Sequence, residues 1–99
     1  MKKFLCLIFL VAGLLLTGCA KNGRQIMEKE GCFSCHRYKG YGADICPDLT
    51  EITKNRSDEF IIQQLKDPGK NFPDSKMPSY NHLSDNEIKA ILDYLKTGK

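Results

Sequence analysis

Apolar positions along the chain form one nearly unbroken run and three periodic stretches. The run covers residues 4–16 and follows Lys2 and Lys3. It is shorter than the ~20 residues needed to cross a bilayer. A basic start, a short apolar run and small residues after it make a secretory leader. The first periodic stretch predicts a helix over residues 23–31, capped by Asn22 with Gln25 closing a capping box, and with Ile26 and Met27 facing the core. The second predicts a helix over residues 57–66. Ser57 caps it, Asp58 and Glu59 suit the positive end of the helix dipole, and Phe60, Ile61 and Leu65 form its apolar face. The third is the clearest. Ser84 and Glu87 form a capping box, Ile88, Ile91, Leu92 and Leu95 recur at i, i+3, i+4 and i+7, and Gly98 follows the last turn.

Residues 37–55 and 68–83 separate these helices and carry Gly40, Gly42 and all four prolines. No segment alternates with period two, so an all-α chain without a real sheet is expected. The expected domain layout is a leader at 1–18, a short linker at 19–22 and one small domain at 23–99. A domain this small normally needs a staple, because its own core is thin.

Of the 15 Lys and Arg and 12 Asp and Glu, the leader takes two lysines and no acid. The remainder is close to neutral. No basic run or aromatic-basic interleaving suggests nucleic acid.

The staple is suggested by Cys32-Phe33-Ser34-Cys35-His36, a Cys-x-x-Cys-His pattern of the kind that attaches a c-type haem. Two thiols at this spacing can add to the two vinyl groups of one porphyrin, and the adjacent imidazole can take one axial position of the iron. Met27, Met77 and His82 are the candidates for the other axial position. Met27 is expected in the core and His82 in a surface loop. Met77 is favoured because a Pro-rich loop can place a thioether without helical constraints, and Pro78 stiffens it. Among the five cysteines, Cys6 leaves with the leader and Cys46 is left over.

Gly23, Ile26, the Gly31-Cys32-x-x-Cys35-His36 run, Cys46-Pro47-Asp48-Leu49, Met77-Pro78, and Leu83-Ser84-Asp85-x-Glu87-Ile88 through Tyr94-Leu95 stand in one order along the chain. In this it resembles the small bacterial class I cytochromes c with a single haem. The resemblance implies an all-α fold of three main helices around one covalent haem c, the first and last helices crossing. It implies cofactor binding by Cys32, Cys35, His36, Pro47 and Met77. His36 and Met77 would be the axial iron ligands, and the Pro47 carbonyl would accept a hydrogen bond from His36 Nδ1. Two positions depart from the family pattern. Met27 stands where an aromatic is usual. Cys46 stands where Gly is usual, and would cost about 1–2 kcal/mol if that position needs a positive φ.

Leu16-Thr17-Gly18-Cys19 resembles the lipobox of bacterial lipoproteins. That resemblance implies a lipid on Cys19, which becomes the first mature residue and anchors the exported domain to a bacterial membrane, facing the periplasm or the exterior. The function implied is one-electron transfer in a respiratory-type chain, with redox proteins as partners. With both axial positions filled there is no small-molecule substrate and no enzyme activity of its own. The chain would act as a monomer or as a subunit of a complex.

Other readings of the same residues are a haem-based small-ligand sensor, which needs an open axial position, and a fixed haem subunit of a membrane oxidoreductase. Cys32, Cys35, Cys46 and His82 have the right count for a zinc site. A dithiol oxidoreductase would want a βαβ pattern near the cysteine pair, and none is visible. Lys39, Lys70 and Lys76 read as solvated surface rather than a docking ring. Tyr38 and Tyr41 read equally well as propionate partners or as core-edge aromatics.

Overall fold

The computed structural model describes residues 22–99. The expected leader at 1–18 and the expected lipid site at Cys19 lie outside them. The described chain is helical: α1 (Gly23–Lys29), a 3₁₀ turn (Cys32–Ser34), α2 (Ile52–Asn55), α3 (Asp58–Lys66), α4 (Pro68–Asn71) and α5 (Asp85–Thr97). Among the described residues there is no strand, only an isolated bridge between Tyr38 and Tyr41. None of the described helices is long and apolar enough to cross a membrane.

The three longer helices start where their caps place them. Asn22 and Ser84 each accept the N3 amide while Gln25 and Glu87 reach back to the cap. Ser57 accepts from Phe60 N. α5 ends at Gly98, whose φ of 74° lets its amide turn back to Tyr94 O. Two one-turn helices, α2 and α4, fall where irregular chain was expected. Pro68 stops α3 but also starts α4, since proline's missing N–H is no loss in a first turn.

α1 packs against α5, and Gly23 is the point of closest approach. A Cβ there would lie 2.2 Å from Ala90 O and 2.6 Å from Tyr94 Cβ, so only glycine lets the backbones meet. Ile26 and Met27 of α1 and Ile88, Ile91, Leu92, Tyr94 and Leu95 of α5 are buried in one cluster with Ile61 and Leu65 of α3. Each such side chain contributes about 1.5–3 kcal/mol by leaving water. Phe60 departs from the expected face. It is half-buried and packs edge-on to Phe72 with Arg56 over its ring. Ile62 takes the place at the core margin. Lys96–Asp58 (2.8 Å) and Lys66–Asp85 (3.1 Å) tie α5 to α3, but such exposed pairs are worth only about 0–1 kcal/mol each.

Candidate cofactor site

The cysteine–histidine segment begins where α1 stops. Gly31, at φ 78°, reverses the chain into the 3₁₀ turn. The Cys35 and His36 amides both bond back to Cys32 O, at 3.3 and 2.9 Å. Side chains three apart eclipse in a 3₁₀ turn, so Cys32 and Cys35 stand on the same side. Cys32, Cys35 and Cys46 are all free of disulfides. Cys32 is buried, and burial pushes its thiol pKa up. A thiolate is therefore disfavoured at this position. A neutral thioether sulfur carries no charge to bury, so the position suits a sulfur bonded to a porphyrin.

The loop after His36 folds back over this turn through main-chain hydrogen bonds. Ala43 N donates to Phe33 O (2.9 Å), and Ile45 N and Cys46 N both donate to Cys35 O (3.2 and 2.8 Å). The backbones touch at Gly42, φ 107°, where a Cβ would lie 2.2 Å from His36 O. The fold-back brings Pro47 O to 2.7 Å from His36 Nδ1. A carbonyl only accepts, so Nδ1 carries a proton, and in the neutral ring Nε2 is the nitrogen that keeps a lone pair. The imidazole is thereby oriented with a free nitrogen donor for a metal. Asp48 steadies the next residues by accepting from the Thr50 amide (2.8 Å) and hydroxyl, and these bonds hold its carboxyl below the usual range.

Cys46 needs no positive φ. Among the described residues the only non-glycine there is Lys39, φ 49°. The turn is made by Lys39, Gly40 and Gly42, so the strain considered for Cys46 does not arise. The Cys46 thiol instead lies beside that of Cys35, and this proximity raises its pKa.

Met77 lies in the loop between α4 and α5, half-buried against the core. Its amide donates to Ser75 Oγ (3.2 Å). Its sulfur accepts from Gln64 Nε2 at 3.5 Å. The loop is tied to the exposed carbonyl end of α3, where Ser79 Oγ donates to Lys66 O (2.5 Å) and Tyr80 N to Leu65 O (2.7 Å). The other two candidate ligands are elsewhere engaged. Met27, 1% exposed, is sealed in the core. The His82 side chain, 59% exposed, pairs with Glu30 at 2.5 Å.

Tyr38 is core. It is 2% exposed, and its hydroxyl donates to Tyr94 O and Leu95 O at 3.1 and 3.2 Å. Tyr41 is half-exposed and lies between Phe33 and Arg24. Lys39, Lys70 and Lys76 are exposed. The zinc set does not assemble. Among the described residues, no three His, Cys, Asp or Glu side chains converge as a metal site.

Two residues with a part in the site escaped the sequence reading: Gln64 and Asn71. Asn71 Nδ2 donates to Gln64 Oε1 (3.1 Å) and Phe60 O (3.2 Å). No spacing rule flags a Gln on a helix flank or an Asn after a Pro-Gly pair. The helical position of Gln64 was legible, but its neighbour was not.

Residues 20–99 match the family model for cytochrome c. Cytochrome c oxidase subunit 2 of Alkalihalophilus pseudofirmus is 27% identical, the match covering 81% of this chain and 26% of that protein. The subunit 2 of Bacillus subtilis is 31% identical over 78% of this chain and 26% of its own length. A nitric oxide reductase subunit of Paracoccus denitrificans is 28% identical over 81% of this chain and 59% of its own. This chain thus spans about a quarter of the oxidase subunits it matches. No solved structure matches it significantly.

Proposed function

Because the chain belongs to the cytochrome c family, and so carries a covalently attached c-type haem for electron transfer, we propose that it is a one-electron carrier with His36 and Met77 as axial ligands. The bound haem supplies the ferric–ferrous couple. Cys32 and Cys35 hold the porphyrin, both presented on one side of the 3₁₀ turn. His36 offers Nε2 because Pro47 O holds Nδ1–H at 2.7 Å, and this contact is the observation that carries the assignment. Met77 offers a neutral thioether, which favours the ferrous state and raises the potential. Ligation by both His36 and Met77 would leave no place on the iron for a substrate.

Cys19 carries a lipid in this proposal and holds the domain at a bacterial membrane, on the periplasmic or outer side. The Leu16-Thr17-Gly18-Cys19 run supports this. A second reading is favoured by the relatives, two of which are oxidase subunits and one a reductase subunit. In that reading the chain is a fixed haem-bearing subunit of a membrane oxidoreductase. Mild detergent extraction separates the two, since a subunit migrates with its complex and a carrier migrates alone.

Met77→Ala tests the ligation. The variant is expected to keep its haem, lose the weak near-infrared sulfur-to-ferric-iron band, fall in potential and bind carbon monoxide when reduced. An unchanged potential rules out Met77 as the ligand. Carbon monoxide binding by the reduced native protein would instead favour a sensor.

A further inference from the structure

Gln64 lies outside every motif of the sequence, on the half-buried flank of α3. Its side chain is the middle link of a directed series of hydrogen bonds. The direction is set from one end. Phe60 O can only accept, so the Asn71 group facing it at 3.2 Å is the NH₂. The second proton of that NH₂ goes to Gln64 Oε1 at 3.1 Å. Gln64 must then turn Nε2 to the Met77 sulfur, at 3.5 Å. The flipped amide would set two NH₂ groups against each other and an oxygen against the sulfur lone pairs. Hydrogen-bond chemistry alone therefore decides the orientation.

We infer that Gln64 is a positioning residue for Met77, its Nε2–H directed to the thioether sulfur and its amide oriented by Asn71. The inference rests on the Met77 ligation proposed above. A thioether has two lone pairs, of which a metal takes one. A donor on the other draws electron density from the sulfur and makes it a poorer ligand to ferric iron. Linked hydrogen bonds polarise one another, so Asn71 strengthens the effect. Met has three rotatable bonds and no steric preference of its own, so a directed N–H also selects among its rotamers.

The test compares holoprotein of the native chain, Gln64→Leu, Asn71→Ala and the double variant, by midpoint potential and by the near-infrared band of the ferric form. In Gln64→Leu the band is expected to persist but move to lower energy. The ferrous–ferric equilibrium against a fixed couple is expected to shift towards ferric by up to about tenfold, the most that one net hydrogen bond gives. Asn71→Ala is expected to shift it the same way by less, and to add little in the double variant, because the two act in series. Gln64→Asn, which withdraws the amide by one methylene, gives a second reading in the same direction should Gln64→Leu yield no holoprotein. A native band and potential in both Gln64 variants overturn the inference and leave Met77 ligation standing, even if stability falls. Absence of the band from the native protein overturns the ligation and the inference together.

Discussion

His36 and Met77 are held by different means. Around His36 the restraint is mostly main chain: Ala43, Ile45 and Cys46 donate to the carbonyls of Phe33 and Cys35, and the ring itself bonds to Pro47 O. Around Met77 the restraint is mostly side chain: Gln64 on the sulfur, Ser75 on the amide, Ser79 on the end of α3. Main-chain bonds survive most substitutions, provided that the glycines at the close approaches remain. Side-chain bonds are lost one residue at a time. The imidazole side is thus a constant of the fold, whereas the thioether side can be adjusted by single substitutions.

The contrast breaks most severely at Gly42. Gly42→Ala forces a side chain onto φ 107° and sets a Cβ 2.2 Å from His36 O. Strain and overpacking together are expected to destabilise the holoprotein by about 3 kcal/mol or more in denaturant unfolding. A loss below about 1 kcal/mol would mean that the fold-back is not tightly held.

Ser79→Ala probes the other side. It removes the bond to Lys66 O and the one from Asn81 N, 3.2 Å. Stability is expected to fall by only about 1 kcal/mol. Imidazole binding to the ferric form is expected to tighten roughly 2- to 5-fold, because the freed loop releases Met77 more readily. If imidazole affinity does not change, the main-chain bond from Tyr80 to Leu65 O holds the loop alone and the contrast fails.

The smallest effect is expected in acid. The folded Asp48 carboxyl titrates below its ordinary value, chiefly because Thr50 donates to it. Its contribution is therefore present above the unfolded value and is lost as the pH falls through the lowered one. The native chain is expected to exceed Asp48→Asn in unfolding midpoint by a small margin at neutral pH, and to lose that margin as the pH falls from the ordinary carboxylate range, about 4, through the lower folded value. A margin that does not close in acid would remove Asp48 from the restraint on the Pro47 loop.

Much of the helical frame was legible because its signals are local. A capping box acts across three residues, and an apolar stripe repeats within two turns, so Ser84, Glu87, Ile88, Ile91, Leu92 and Leu95 already specify α5. Phe60 was misplaced because periodicity does not say which flank of a helix meets the core. Packing gave the core to Ile61 and Leu65 and its margin to Ile62. The one-turn helices α2 and α4 carry too few residues to show a period.

By itself, then, the sequence determined the cysteine–histidine motif and the main helices. Both rest on interactions between near neighbours or on a family pattern readable along the chain. Only the tertiary structure decided that Cys46 is unstrained, that the Tyr38 hydroxyl belongs to α5, 56 residues away, and that Gln64 meets a sulfur 13 residues on. The reason is physical. A hydrogen bond is specified within a few tenths of an ångström and some tens of degrees. Residues far apart in the chain reach that precision only after the core has packed.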